Sequence, residues 1–600
     1  MALPRSEATE PSAPATGGLA ADERLPLSTK LVFGLPSIAG AAIAIPIGVH
    51  MPKFYSDVVL VPLGWIAIGI AIARALDAIT DPMMGWLSDR TKSRWGRRKP
   101  WIALGVPLCA ISLVALWTPP EGIERVSAAL WFGCAFIAYY LFHTIYDIPH
   151  YGLGAELTLD YNERSSLFGI RAGFIMAGVL LGTLLPGILD NQGLQERQVF
   201  FIVSLLFAVM LVASYGLLLA RIRERPDFVA RKSNPLVPGV RRAMRNRPFR
   251  ILLATYVIGS ITGAIPGTFM PYYTQYVLEV ENYARWLTYF LAAYFASGFL
   301  FLPAWMWAAQ RFGKREIWLA GFFIGIVGGS TLFFMGPGDE VLVFGLLIFT
   351  GSTFGMGQFI GASMQADFID YDELHTGKRR EAQYGAFWSI ATKLIVIPGA
   401  AIPLAFLASQ GYEPNQVQSD DVKLWIAGIF AFGPATFSLF AFFVARLYPI
   451  SAKVHEDIRL GIRAHESDRD ALDPLTGEPL SPPRPGVSDD LAWRLDYFSR
   501  RELNALANGR TRWVLRWVMS KTGGLLGATI LAWGLALNQI LSSGEQLTHV
   551  ENMAITLLIV AGGILLSLCL FQVLRLGTAR RVATDPVAPD LVRAHIEALW

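Results

Sequence analysis

Apolar residues fall along this chain in blocks of the length a helix needs to cross a hydrocarbon layer, about 20 residues. Polar residues collect in the short stretches between them. Twelve blocks precede residue 450, at 30–52, 60–87, 100–118, 126–154, 165–190, 197–221, 249–277, 284–309, 315–335, 341–364, 383–409 and 423–447, and two more follow at 521–541 and 552–575. Every backbone N–H and C=O inside lipid must be satisfied within the segment, so the pattern predicts an all-α polytopic membrane protein. Residues 1–28 contain no apolar run and are rich in Ala, Pro, Ser and Glu, which predicts a disordered cytoplasmic tail and no secretory leader.

Two echoes reveal an internal repeat. Arg94-Trp-Gly-Arg-Arg-Lys-Pro-Trp101 follows the second block and Arg311-Phe-Gly-Lys-Arg-Glu-Ile-Trp318 follows the eighth. Ala155-Glu-Leu-Thr-Leu-Asp-Tyr161 follows the fourth, and Ala366-Asp-Phe-Ile-Asp-Tyr371 the tenth. Both pairs are displaced by six blocks, the mark of two parallel six-helix halves. The chain then divides into the tail (1–28), a bundle (29–222), a cytoplasmic middle loop (223–248), a second bundle (249–447), a cytoplasmic linker (448–520), two extra transmembrane helices (521–576) and a cytoplasmic tail (577–600). Within the linker, Asp473–Gly486 is a flexible segment by composition. Asp489–Met519, with Trp493, Phe498, Trp513 and Trp517 among many Arg, reads as an amphipathic helix. Such a helix could lie on the membrane face or pack on the loops.

Composition agrees: 53% of the 600 residues are hydrophobic and 16% are charged, short of the roughly 25% charge of soluble domains. The net charge of +4 sits in the links between apolar blocks, a distribution that speaks against a nucleic-acid partner. Basic residues crowd the loops at 88–101 and 221–247, whereas 190–198, 409–423 and 542–553 carry few or none. The positive-inside rule then places both termini in the cytoplasm, in a multi-pass protein of the cell inner membrane. Cys109, Cys134 and Cys569 lie in apolar blocks without a C-x-x-C pair and read as inert thiols. No H-E-x-x-H or P-loop occurs, so neither an enzyme nor an ATP-driven pump is expected, and the energy must come from a gradient.

Ionisable groups at membrane depth are costly and mark function by default. The second block carries Arg74, Asp77 and Asp81; the two carboxylates are one helical turn apart and share a face. Hard carboxylate oxygens suit Na⁺ or H⁺, although a charge cluster that only locks helices is the alternative. Thr144 and Asp147 on the fourth block could complete an oxygen cage. His143, His150 and His50 could relay protons or be hydrogen-bonded structural residues. Lys393 lies deep in the eleventh block, where it could pair with a carboxylate. Tyr146, Tyr151, Tyr272, Tyr273, Phe387 and Trp388 could stack on a sugar or simply pack.

Asp77-Ala-Ile-Thr-Asp-Pro82 with Arg94-Trp-Gly-Arg-Arg98, Asp147-Ile-Pro149, Leu159-Asp-Tyr-Asn-Glu-Arg164 and the 367–380 stretch resemble the glycoside–pentoside–hexuronide:cation symporter family, the melibiose-permease-like branch of the major facilitator superfamily. The resemblance covers about residues 30 to 447 and implies a major facilitator fold of two six-helix halves, with two extra C-terminal transmembrane helices outside the family pattern. It implies alternating access, Na⁺ or H⁺ as the coupling ion at Asp77, Asp81, Thr144 and Asp147 (Na⁺ on the Asp77 and Asp81 oxygens if a metal is used), and no cofactor. It further implies solute contacts at Asp147, Tyr151, Arg171 and Lys393, Tyr151 standing where the characterised permease has a sugar-stacking Trp. The expected partner is a small glycoside-like solute, carried by a monomer in the lipid bilayer. Two positions depart from the pattern. Ala41 stands where an acidic sugar ligand is expected, and Thr80 where an Asn sits beside the cation. Ala41 has no acceptor for sugar hydroxyls, which keeps open an amphiphile such as a lysolipid as cargo. The appended 448–600 segment keeps open a non-transporting sensor or scaffold.

Overall fold

The computed structural model describes residues 24–158, 161–225, 236–377, 384, 397–483, 487–543 and 549–597. Helices occupy the expected blocks. The first half comprises Leu27–Val58, Leu63–Arg90, Lys99–Trp117, Arg125–Leu157, Tyr161–Asp190 and Glu196–Arg221, and the second half Arg247–Val277, Tyr283–Leu300 with Leu302–Phe312, Lys314–Leu332, Glu340–Thr376, the described Ile397–Ser409 and Asp420–Ala445. Thr511–Ser543 and His549–Thr584 form the extra pair. Among the described residues ten helices are long and apolar enough to cross a membrane, or eleven when the pair Tyr283–Leu300 and Leu302–Phe312, bent by 44°, is taken as one. All fourteen segments named above, whether or not they meet that length, are numbered below as the first to the fourteenth span.

Several boundaries differ from the sequence expectation for local reasons. The first span continues to Val58, past the expected end at 52, because Pro46 and Pro52 are absorbed by widened π turns at Pro46–His50 and Phe54–Val58. Lys53 and Asp57 neutralise each other one turn apart, so neither ends the helix. The tenth span projects beyond 364 to Thr376, where Gly377 takes a left-handed cap (φ 63°). The seventh starts at Asn246, whose side chain accepts the Phe249 N–H while its amide donates to the Phe368 carbonyl at 2.8 Å.

The halves repeat in packing as well as in sequence. In the first half the first span packs on the fifth and sixth, the second on the fourth, and the third on the fourth and sixth. The second half makes the same pairings six spans later: seventh with eleventh and twelfth, eighth with tenth, ninth with tenth and twelfth. The two sequence echoes meet in space within each half. Arg97 pairs with Glu156 at 2.5 Å in the first, and Lys314 with Asp367 at 2.6 Å in the second. Both pairs lie on the face that carries the basic loops, here the basic face. Glu224 strengthens it by accepting the backbone N–H groups of Arg97, Arg98 and Lys99 at 2.8–2.9 Å, at the N-terminus of the third span.

The 448–520 segment corrects one expectation. In place of a single amphipathic helix over 489–519 there are two short helices, Asp489–Leu495 and Arg500–Ala507, and Thr511 already begins the thirteenth span. The break is chemical. Ser499 and Glu502 form a capping box that starts a new helix, and Gly509 turns the chain with φ 71°. Leu495, Phe498, Leu503 and Leu506 are buried against Val514, Val518, Ala579, Val582 and Val592, a core of their own. A helix at Ala452–Glu466 and a two-stranded hairpin pairing Ala471–Leu472 with Pro479–Leu480 precede it. Packing on neighbouring segments, one of the two alternatives, is what the geometry displays.

The fourteenth span packs on the thirteenth, on the second and on Ile402–Ser409 of the eleventh. At Gly563 a Cβ would stand 2.6 Å from that of Ala75, so the extra helix touches the second span almost backbone to backbone, half a turn from Asp77.

Candidate functional site

The second span owes its helical form to an Ala- and Ile-rich sequence, and it projects Arg74, Asp77 and Asp81 from successive turns. Asp77, Asp81 and Thr144 are 3%, 6% and 0% exposed, so their charges and dipoles must be met by protein or by a bound cation. The Thr144 hydroxyl stands 3.1 Å from Asp77 Oδ1 and 2.8 Å from Asp81 Oδ1. It has one proton and can donate to only one of them at a time. Arg74 Nη1 donates to Asp77 Oδ2 at 3.3 Å, its Nη2 to the Tyr140 hydroxyl, and its guanidinium lies 3.8 Å over the Tyr140 ring. Two shielded atoms of this stretch of the second span, Arg74 Nε and Thr80 Oγ1, have no hydrogen-bond partner among the described residues. The donor set is thus carboxylate and hydroxyl oxygen beside one adaptable guanidinium. Such a set fits a hard cation or a proton.

Asp147 lies one turn beyond Thr144, half-buried. A further turn along, Tyr151 is 55% exposed and meets Arg171 of the fifth span, whose guanidinium carbon lies 5.4 Å from the ring centre. Arg171 Nε donates to Ser37 Oγ of the first span at 3.1 Å. Thr144, Asp147 and Tyr151 therefore share one face of the fourth span, about 10 Å long, with the oxygen cluster at one end and the Tyr151–Arg171 pair at the other. Lys393, Phe387 and Trp388 lie outside the described residues. Ala41 belongs to a tight helix contact, since a Cβ at Gly178 would stand 2.9 Å from its own and 2.3 Å from the Ile38 carbonyl oxygen.

Other sequence candidates have structural partners. His150 is held at both ring nitrogens, 3.2 Å from the Phe33 carbonyl and 3.0 Å from the Tyr215 hydroxyl. His143 packs among Tyr139, Tyr140 and Tyr146, and His50 against Phe200. The Tyr273 hydroxyl donates to the Leu332 carbonyl at 2.7 Å, and Tyr146 stacks edge-on to Tyr215.

A cavity of about 480 Å³ lies between the halves. Ala44 and Gly48 of the first span, Tyr140 of the fourth, Thr268 of the seventh, Tyr294 of the eighth and Thr353 of the tenth are on its wall, and Arg74 is its charged member among the described residues. Arg74 thus touches both the oxygen cluster and the cavity. The uncharged wall residues carry no charge signal in the sequence; only the meeting of spans from both halves singles them out.

A repeated bundle of membrane helices, with a solute-sized cavity between its halves and buried carboxylates beside it, is a membrane transporter of major facilitator architecture and not an enzyme. Residues 32–452 match the family described as MFS/sugar transport protein, and the chain belongs to that family. An uncharacterized symporter of Synechocystis is 26% identical over 537 residues, covering 74% of this chain and 98% of the relative. The isoprimeverose transporter of Lactiplantibacillus pentosus is 25% identical over 444 residues, covering 71% of this chain and 90% of the relative. Among solved structures, a bacterial homologue of human drug peptide transporters matches with a TM-score of 0.50 over 73% of this chain and 98% of that one, at 11% identity, a likeness of fold alone.

Proposed function

We propose that the protein is a symporter in which Na⁺ or H⁺ drives a glycoside-like solute through alternating exposure of the central cavity. The observation that carries this reading is the buried pair Asp77 and Asp81 bridged by the Thr144 hydroxyl, with Arg74 spanning from Asp77 to the cavity wall. A cation on the Asp77 and Asp81 oxygens competes with Arg74 for Asp77. Its arrival frees the guanidinium to turn toward a solute in the cavity. That exchange supplies the differential binding that coupling requires. Asp147 stands between the two ends of the shared helix face. Tyr151 and Arg171 extend the solute path toward the basic face, and Lys393 is a further proposed solute contact. Relatives named for symport, and one named for isoprimeverose, support the solute class. The basic loops support cytoplasmic termini in a bacterial inner membrane, and each copy carries its own cavity and oxygen cluster, which supports a monomer.

The test is solute uptake into proteoliposomes under an imposed Na⁺ or proton gradient, with glycosides and lysolipids as alternative cargo. Asp77→Asn should abolish gradient-driven uptake while leaving a folded protein. Uptake of undiminished cation dependence in that variant removes the assignment, and absence of any flux favours a sensor or scaffold.

A further inference from the structure

On the face opposite the basic loops the two halves are joined by a buried polar network. Asp57, in the last turn of the first span, is its centre and is 7% exposed. Its Oδ2 accepts from the Tyr276 hydroxyl at 2.8 Å and its Oδ1 from the Tyr412 hydroxyl at 2.8 Å; the two hydroxyls are 3.1 Å apart. The Asn415 side-chain amide donates to the Asp57 carbonyl at 2.5 Å, and its backbone N–H to the Tyr276 hydroxyl at 3.1 Å. Ser56 Oγ donates to Asp57 Oδ1 at 2.5 Å and lies 3.3 Å from the Tyr272 hydroxyl. Asp57 and Ser56 belong to the first half; Tyr272, Tyr276, Tyr412 and Asn415 belong to the second.

The internal repeat accounts for the meeting. Pro52–Leu60 and Pro271–Glu279 match at one constant offset. Each has its proline, then a π turn (Phe54–Val58, Tyr273–Val277), then a non-glycine residue with left-handed backbone (Leu60, φ 64°; Glu279, φ 53°). One residue out of that register, Tyr55 and Tyr273 each donate a hydroxyl to a carbonyl near the end of the third or ninth span, Leu116 and Leu332. Asp57 and Tyr276 occupy equivalent places in the two copies, so the approximate twofold relation sets them face to face. Asn415, the third participant in a turn, is also left-handed (φ 58°). Three of the four non-glycine positive-φ residues described thus lie in the turns at this network, as expected where the surrounding structure enforces a local conformation.

We propose that Asp57, Tyr276 and Tyr412 are the latch of the gate on this face, closing the cavity here and parting when it opens to this side. The proposal rests on the alternating-access reading. Its geometry suits a reversible closure. Lys53 pairs with Asp57 from one turn away on the same span, so it travels with the carboxylate and leaves no bare charge when the halves separate. The bonds that must break run from neutral donors, the two phenols and the Asn415 amide, and water entering the mouth can replace them. The gate lies directly on the cavity, whose wall includes Met51, Pro52 and Met270, the residues just before the latch in both copies.

The test uses the full-length protein in sealed proteoliposomes, in a Cys134→Ser background with Ala44→Cys as a reporter on the cavity wall. A membrane-impermeant maleimide is applied to one face at a time. The double variant Tyr276→Phe with Tyr412→Phe keeps the Lys53–Asp57 pair and both rings. It should label about thirtyfold faster from the latch face, the shift expected from losing two ordinary hydrogen bonds. Asp57→Asn should act in the same direction; if it fails to fold, the double variant decides. A purely structural role would lower the melting temperature without changing which face labels. Unchanged labelling from the latch face in a double variant that melts like wild type overturns the proposal. The cation-coupling reading is tested separately at Asp77, so faster labelling alongside unaffected Asp77→Asn uptake would keep the gate and remove the coupling assignment.

Discussion

Two buried clusters of carboxylates and arginines in this molecule are built differently among the described residues. In the second span, Asp77 and Asp81 share one hydroxyl from Thr144, and among the described residues the guanidinium seen on them is that of Arg74, at 3.3 Å. In the appended unit, Asp496 meets Arg242 and Arg245, and Glu502 meets Arg575 at 2.5 Å with Arg241 at 3.9 Å, so two carboxylates face four guanidiniums. Burial works to raise both carboxyl pKa values, but His595, Arg242 and Arg245 hold Asp496 below its ordinary value, and the Ser499 N–H with Arg575 does the same for Glu502. Burial, Arg575 and Arg245 lower Arg241 to about 10. On the proposed reading, the difference is that between a joint and a site. A cluster with arginine to spare keeps its carboxylates ionised at neutral pH and holds the 489–507 helices, the end of the fourteenth span and the middle loop together. On the proposed reading, the second-span cluster exchanges its partners with a mobile cation during transport.

The sharpest break of that comparison is at the joint. Arg575 is 1% exposed and also donates to the Tyr497 carbonyl at 2.9 Å and to Gln572 Oε1 at 2.6 Å. Arg575→Met should strand Glu502 and cost about 3–5 kcal/mol, read as lost thermal stability and proteolysis within 489–597; adding Glu502→Leu should recover most of it. Asp81→Asn should behave in the opposite way. The protein should melt no lower than wild type, while the stabilisation by Na⁺ or low pH, about 2.7 kcal/mol at a hundredfold excess over Kd, should disappear. Melting without added cation that falls as far as in Arg575→Met would make the site a joint as well.

The pH dependence of the joint follows from its signs. Asp496 and Glu502 titrate lower in the folded protein than in the unfolded chain. Their contribution is therefore complete above the unfolded values, about 4, and is lost as pH falls through the lower folded values. Protease resistance of 489–597 should hold from neutral pH to about 4 and decline below it. The smallest effect is expected at Thr144. Thr144→Val removes one hydroxyl shared by two carboxylates and should weaken cation binding by about 1 kcal/mol, roughly fivefold, seen in the cation concentration that gives half the melting shift.

Legibility follows the reach of each interaction. Spans and echoes could be read directly because apolar length and helical period are local. Asp77 and Asp81 were found because i,i+4 spacing alone puts them on one face. The packing partner of Asp489–Met519 is not legible along the chain because periodicity cannot say what an amphipathic surface will cover. Arg242 and Asp496 are separated by 254 residues and Asp57 and Tyr412 by 355, so no window along the chain contains either pair.

The sequence by itself determined the membrane class, the helices, the repeat and the carboxylate pair of the second span, because hydrophobic length, charge placement and helical spacing are properties of neighbouring residues. Only the tertiary structure decided that the echoes close as Arg97–Glu156 and Lys314–Asp367, that Thr144 bridges the two aspartates, and that Asp57 faces Tyr276 across the halves. Those contacts depend on how separate helices are brought together, and burial then gives them their weight, because in a water-poor interior a charge or hydroxyl must find its partner within the protein.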